Sequence, residues 1–131
     1  MAEFPGMSHV ALTVTDLAVS VPWYERLLGL KPVLDEDTGS FHHTVYQLPG
    51  GTLFGLHQHP GRGGSERFDE YHAGLDHVSF VVASRAELET WQARLDELGI
   101  PHGGIVDAHY GSGLSFRDPD NIALEIFAPP A

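Results

Sequence analysis

Three ionisable side chains, His9, His77 and Glu125, each lie in or beside a short apolar segment of this 131-residue sequence. A neutral polar group inside an apolar strand costs on the order of 1–3 kcal/mol unless it has a partner, and a charged group costs more. Two imidazoles and one carboxylate form a facial triad, which holds a divalent metal ion and leaves coordination positions open for water and substrate. These residue types therefore predict one shared metal ion as the partner of all three side chains.

The two histidines occupy equivalent positions in an internal repeat. Residues 9–14 (HVALTV) resemble residues 77–82 (HVSFVV), and Trp23 and Trp91 recur at the same spacing. Further along, the spacing grows by two residues, so that Gly55 in the first copy corresponds to Glu125 in the second. Self-similarity of this kind indicates two related structural modules of roughly 60 residues each.

Each copy has the pattern of one strand, one helix and three further strands. The second helix has the clearest signals, which are a capping box at Ser84 and Glu87, an apolar stripe and a stop at Gly99. The first helix is predicted over residues 16–28. Pro22 lies within this range, so the helix either kinks there or starts only at Ser20. After the helices, strands are predicted over residues 31–35, 41–48, 52–57, 102–105, 112–116 and 122–127.

Alternation along the strands predicts which face carries the three candidate ligands. Side chains alternate across a strand, so residues two positions apart share a face. Each candidate ligand therefore shares its face with a small residue: His9 with Ala11, His77 with Ser79, and Glu125 with Ala123. The larger aliphatic residues point the other way, and we expect that set to face the helices.

Gly55 leaves the first copy without the carboxylate that Glu125 supplies in the second. His57 lies two residues further on, on the same strand face and about 6.6 Å along the strand. The sequence leaves three roles open for His57, which are a further metal ligand, a general base and a residue at the rim of the site. One of His42 and His43 also points to this face if residues 41–48 form a strand.

Composition narrows the functional class. The chain carries 7 Lys and Arg against 18 Asp and Glu, a formal net charge of −11, which argues against binding nucleic acid or anionic membranes. It has no cysteine, no signal peptide pattern and no long apolar run, so we expect a cytoplasmic protein. The length predicts a single domain over residues 1–131, with module one at about 7–59, a linker at about 60–73 and module two at about 74–128.

Two stretches of the sequence resemble the vicinal oxygen chelate superfamily, which includes glyoxalase I, extradiol dioxygenases, fosfomycin-resistance enzymes and bleomycin-resistance proteins. The first runs from residues 9–17 (HVALTVTDL) through Trp23-Tyr24 to residues 27–30 (LLGL). The second comprises residues 74–78 (GLDHV) and residues 118–125 (DPDNIALE). The resemblance covers roughly residues 7–128, nearly the whole chain.

The resemblance implies an α+β fold, in which two βαβββ modules form mixed sheets that curl into a cup-shaped half-barrel with the helices outside. It places His9, His77 and Glu125 on the usual ligand positions of the superfamily. It also implies a homodimer in which the site is shared between chains, so that His9 reaches the metal from the opposite subunit.

Several subfamily features are absent. Glyoxalase I carries a carboxylate at the position of Gly55, and extradiol dioxygenases carry a tyrosine at about the position of Ser115. Fosfomycin-resistance enzymes use a threonine where Ala11 stands and a lysine in the second module, whereas Lys31 is the only lysine here.

We therefore expect a metalloenzyme with Fe, Mn, Ni or Zn that acts on a small oxygen-chelating substrate by lyase, isomerase, epimerase or dioxygenase chemistry. In this hypothesis His57 is the catalytic proton shuttle. The alternatives are a metal-free dimeric protein that binds a drug or metabolite, and an accessory domain with a vestigial site.

Overall fold

The computed structural model describes residues 2–61 and 66–131. It separates into two compact units, Met1–Glu66 and Arg67–Ala131. Each unit contains one helix and one four-stranded mixed sheet, so the predicted α+β class with two βαβββ modules is confirmed. Neither helix among the described residues is long and apolar enough to cross a membrane.

The first unit has the strand order β1-β4-β3-β2 in its sheet. Strand β1 runs parallel to β4, and the remaining neighbours are antiparallel. The elements are β1 (His9–Thr13), α1 (Leu17–Leu28), β2 (Leu34–Asp37), β3 (His42–Gln47) and β4 (Leu53–Gln58).

Both ends of α1 are set by local sequence. The Asp16 carboxylate accepts a hydrogen bond from the Ala18 N–H at 2.9 Å, and Gly29 ends the helix with a positive φ of 66°. This φ favours glycine because a Cβ would be strained there. The helix begins at Leu17 and continues through Pro22, so the later start considered from the sequence does not occur.

The second unit repeats this topology, with the strand order β5-β8-β7-β6 and β5 parallel to β8. Its elements are β5 (Val78–Val81), α2 (Arg85–Glu97), β6 (His102–Ala108), β7 (Gly111–Arg117) and β8 (Ala123–Ala128). Helix α2 packs on β6, β7 and β8.

The predicted cap of α2 is present. The Ser84 hydroxyl accepts from the Glu87 N–H at 3.3 Å, and the Glu87 carboxylate accepts from the Ala83 N–H at 2.9 Å. Leu88 and Leu95 are fully buried on the face that packs against the sheet. Local capping and an apolar stripe therefore suffice to place this helix.

The two faces of each sheet differ in burial as the alternation predicts. In the first unit Leu12, Phe54 and Leu56 are buried, and in the second Leu124 and Ile126 are buried. The opposite faces are more open, since His9, Ala11, Thr13, Ser79 and Ser115 are exposed. The candidate ligands therefore lie on the sheet faces that the aliphatic core residues do not occupy.

Candidate functional site

His77 and Glu125 come together in the second unit. His77 immediately precedes β5, and Glu125 lies in the middle of the neighbouring strand β8. The parallel register of the two strands pairs Ser79 with Glu125. His77 lies two residues before Ser79, so its side chain points to the same sheet face as the carboxylate. The His77 Nε2 atom lies 3.8 Å from Glu125 Oε1. The structure therefore brings together two of the three predicted ligands.

The imidazole of His77 is held through its other nitrogen. Its Nδ1 atom lies 2.6 Å from Oδ1 of Asp76, and an ionised carboxylate can only accept this hydrogen bond. A carboxylate on Nδ1 fixes the tautomer in which Nε2 carries the free lone pair, as is usual for histidines that bind metals. The nitrogen that faces Glu125 is therefore the one available for coordination.

His9 has the same arrangement in the first unit. It begins β1, and its Nδ1 atom is hydrogen-bonded to the Ser8 hydroxyl at 2.6 Å. Ser8 precedes His9 as Asp76 precedes His77, so the repeat extends to the residues that orient the rings. Both rings are therefore held at Nδ1 by the side chain of the preceding residue.

The Glu125 carboxylate has two further contacts on the open sheet face. The Ser79 hydroxyl donates to Oε1 at 2.8 Å. Oε2 lies against Gly113 on β7, where an added Cβ would come within 2.7 Å of that oxygen. Gly113 thus leaves the space that the carboxylate occupies.

Across residues 2–61 and 66–131, no group of three or more His, Cys, Asp or Glu side chains is arranged to hold a metal ion. The pair His77–Glu125 is the part of the predicted triad that the structure brings together. The participation of His9 stays a prediction.

His57 lies on β4, over the glycine at position 55. A Cβ added to Gly55 would be 3.7 Å from His57 Nε2 and 3.6 Å from the Ala11 side chain. The imidazole therefore occupies part of the space beside the position that corresponds to Glu125 in the second unit.

Four half-buried rings form what we call the ring cluster, which comprises Phe41, His43, His57 and His59. Phe41 stacks on His57 at 4.8 Å between ring centroids and 16° between planes, and it meets His43 edge-on at 5.2 Å. His43 and His57 face each other across the β3–β4 pair, with centroids 5.1 Å apart. This cluster was not predicted from the sequence, although His43 and His57 were both candidates for the same sheet face.

The environment of His57 lowers its pKa below the usual value of 6.5, first because burial disfavours the charged ring and then through repulsion from His43, His59 and His9. The neutral imidazole is therefore the favoured form at neutral pH. A neutral ring can accept a proton or a metal ion.

Three other histidines pair with carboxylates elsewhere in the fold: His42 with Asp35, His72 with Asp69, and His102 with Asp96. The first pair joins β2 to β3, the second lies at residues 69–72 in the segment between β4 and β5, and the third joins α2 to β6.

The family model described as the Glyoxalase/Bleomycin resistance protein/Dioxygenase superfamily matches residues 6–126. The chain therefore belongs to this superfamily, which confirms the resemblance drawn from residues 9–30 and 74–125.

A similar solved structure is that of a glyoxylase/bleomycin resistance protein/dioxygenase domain from Frankia sp. EAN1pec. It is 38% identical, has a TM-score of 0.89, and the match covers 98% of this chain and 100% of that one.

Two relatives are described as enzymes. The putative ring-cleaving dioxygenase MhqA of Bacillus subtilis is 26% identical over 94% of this chain, which spans only 40% of the length of MhqA. The metallothiol transferase FosB of Bacillus licheniformis is 24% identical over 92% of this chain and 73% of FosB.

Proposed function

We propose that the protein is a divalent-metal-dependent enzyme that acts on a small substrate with two neighbouring oxygen atoms. His9, His77 and Glu125 would bind the metal, which is Fe, Mn, Ni or Zn. The observation that carries the proposal is the oriented pair in the second unit, where His77 Nε2 and Glu125 Oε1 lie 3.8 Å apart.

The donor set suits such an ion. Imidazole and carboxylate ligands with open positions are typical of metalloenzymes that bind substrate directly. Asp76 and Ser8 each hold the Nδ1 atom of a ligand histidine, and Ser79 holds one oxygen of Glu125. Such outer contacts keep ligands in place before the metal binds.

A metal bound there would act as a Lewis acid on the substrate oxygens. His57 is the proposed proton shuttle, because burial keeps its ring neutral and hence able to take a proton from the substrate. We place lyase or isomerase chemistry, including epimerisation, ahead of dioxygenation.

The relatives support enzymatic function and metal use in this superfamily, since one is a putative dioxygenase and another a metallothiol transferase. We also propose a cytoplasmic homodimer in which His9 of one chain completes the site of its partner. The absence of cysteine from the sequence is compatible with a reducing compartment.

Metal analysis of protein purified without added metal or chelator tests the proposal. We expect close to one metal per subunit in the wild type, and its loss in the His77→Ala variant, because only His9 and Glu125 of the three proposed ligands would remain and two ligands bind such ions weakly. His72→Ala is the matched control, since His72 is an exposed histidine paired with Asp69. The proposal fails if the wild type takes up none of Fe, Mn, Ni, Co or Zn.

The second candidate is a metal-free protein that binds a drug or metabolite. The ring cluster favours it, because aromatic surfaces bind flat organic molecules without a metal. Wild-type protein that stays metal-free in the same experiment while it binds such a molecule would support this candidate.

A further inference from the structure

We propose that Arg117 is a positioning residue for His77, on which it acts through the carboxylate of Asp76. In this inference the charge of the Arg117 guanidinium restrains Asp76, and Glu70 keeps the guanidinium in place. The use of His77 as a metal ligand rests on the function proposed above. The orientation of its ring does not, and it can be measured in metal-free protein.

The hydrogen bond between Asp76 and His77 needs support from another group. Both side chains are well exposed, at 76% for Asp76 and 47% for His77. Water competes for such a bond, so an exposed pair contributes little order by itself. His77 also lies one residue before β5, outside the paired residues of that strand. A further interaction is therefore required to keep the ring in one orientation.

Strand register places Arg117 on the same sheet face as His77. Arg117 on β7 pairs with Ala123 on β8. On the other side of β8, the parallel pairing that begins at Val78 puts His77 level with Ala123. His77 and Arg117 therefore flank one small side chain, with their backbones about 10 Å apart at the usual strand spacing. An arginine side chain is long enough to span much of this distance.

The guanidinium of Arg117 is held in place by several hydrogen bonds. It donates to both carboxylate oxygens of Glu70, at 2.7 and 3.0 Å, and to the Asn121 carbonyl at 3.1 Å. Glu70 is itself fixed, because the nearby Phe68 pairs with the β7–β8 turn through both backbone groups. The Phe68 N–H donates to the Asp120 carbonyl at 2.8 Å, and the Asn121 side chain donates to the Phe68 carbonyl at 3.0 Å. The two-pronged pair therefore gives the guanidinium one position.

The charge of Arg117 acts on Asp76 as well as on Glu70. The pKa of Arg117 is raised, first by its hydrogen bonds to Glu70 and then by the charges of Glu70 and Asp76. The same hydrogen bonds lower the pKa of Glu70 to about 2, so this pair stays ionised at neutral pH. Attraction to the guanidinium restrains the Asp76 carboxylate, and this favours the His77 tautomer with its proton on Nδ1.

The tautomer of His77 in metal-free protein tests the inference. Long-range ¹H–¹⁵N spectra at pH 8, with a chelator present, report which ring nitrogen carries the proton, and the His77→Gln variant assigns the signals. In the wild type we expect the proton on Nδ1. Arg117→Gln should shift the population towards Nε2, because Asp76 loses its restraining charge. Arg117→Lys keeps the charge without the two-pronged pair, so it should restore most of the wild-type population.

Metal affinity provides a second readout. Contacts that orient a ligand histidine are typically worth 10- to 100-fold in affinity, so we expect Arg117→Gln to bind Mn(II) about tenfold more weakly. In an Asp76→Asn background the same substitution should change the affinity little, since Arg117 acts through that carboxylate. Arg94→Gln is the matched control, because Arg94 is similarly exposed and pairs with Glu97 inside α2. We expect the wild-type tautomer and affinity in this control.

An unchanged His77 tautomer in Arg117→Gln would overturn the inference. Equal losses in Arg117→Gln and Arg117→Lys, or an undiminished effect of Arg117→Gln in the Asp76→Asn background, would overturn it as well. None of these results decides whether the wild type binds metal. Conversely, wild-type protein that takes up no metal, but whose His77 tautomer depends on Arg117, would refute the function proposed above and leave the positioning role standing.

Discussion

Gly113 is the residue that makes room for the carboxylate of Glu125. In a Gly113→Ala variant the new methyl group would stand 2.7 Å from Glu125 Oε2 and 3.3 Å from its Cδ, so the carboxylate must move. Since contacts that orient a ligand are typically worth 10- to 100-fold in metal affinity, we expect Mn(II) binding to weaken by about tenfold or more. Isothermal titration calorimetry of the metal-free variant with Mn(II) measures this.

Gly103→Ala is the matched control for that experiment. Gly103 lies in β6 of the same sheet, and a Cβ there would meet nothing within 4 Å. We expect wild-type affinity in this control. Wild-type Mn(II) affinity in Gly113→Ala, with the fold intact by circular dichroism, would show that Glu125 does not bind the metal from its observed position.

At the level of elements, an ion pair joins the start of α2 to strand β6. The guanidinium of Arg85 contacts both carboxylate oxygens of Asp107 at 2.8 and 3.0 Å, and the Ser112 hydroxyl donates to the same carboxylate. These hydrogen bonds lower the pKa of Asp107 from 3.8 to about 2, the bond from Arg85 contributing most. The carboxylate is exposed, so the pair adds only modestly to stability.

This ion pair gives a pH prediction. Because the folded-state pKa of Asp107 lies below its unfolded value, its stabilising effect is present above about pH 4 and is lost as the pH falls towards 2. Asp107→Asn should therefore lower the free energy of unfolding at pH 7, and the gap from wild type should narrow as the pH drops through this range. Urea unfolding at pH 7, 4 and 3 measures it.

Glu97→Gln provides the comparison, because Glu97 pairs with Arg94 inside α2 and does not link the helix to the sheet. A gap between wild type and Asp107→Asn that stays constant from pH 7 to pH 3 would contradict the assigned role of the Arg85–Asp107 pair.

The elements whose signals are local were predictable from the sequence. Helix α2 is specified by Ser84, Glu87 and its apolar stripe. In the structure it begins directly after Ser84, as these residues predict. Strand β2 begins at Leu34, three residues later than predicted, because Pro32 has no N–H to donate to a strand pair. Strand β6 continues to Ala108 because its pairing with β7 extends to Gly111, which a local pattern does not reveal.

The site was predictable in its residue types and only partly in its contacts. The repeat identified His77, alternation along the strand put Glu125 on the equivalent face, and their proximity follows from the parallel pairing of β5 with β8. The space at Gly113 depends on the register between β7 and β8, and the Phe41–His57 stack depends on a residue just before β3. Such cross-strand contacts depend on register, which hydrophobic alternation alone does not fix.

For the molecule as a whole, the two modules have diverged at equivalent positions of one sheet face. The second unit has Gly113 and Glu125 where the first has His43 and Gly55. In the second unit a glycine makes room for a carboxylate, whereas in the first a glycine adjoins the ring of His57. The duplicated scaffold thus carries the proposed ligands His77 and Glu125 on the second copy, and the proposed ligand His9 together with the ring cluster on the first.

The proposed sharing of the site between two chains has a quantitative consequence. When His9→Ala and His77→Ala chains are mixed and allowed to exchange, each mixed dimer would combine an intact His9 from one chain with an intact second module from the other. After complete random exchange we expect about a quarter of the wild-type metal content, because half of the dimers are mixed and each has one intact site of two.

A mixture of His77→Ala and Glu125→Ala chains is the control for this complementation, since both substitutions lie in the second module and no dimer regains a complete site. We expect metal content to recover in the first mixture and not in the second, by metal analysis after gel filtration. If subunit exchange is verified by mass spectrometry and neither mixture recovers metal, then His9 does not act across the dimer. If both mixtures recover it equally, the three residues do not form one metal site.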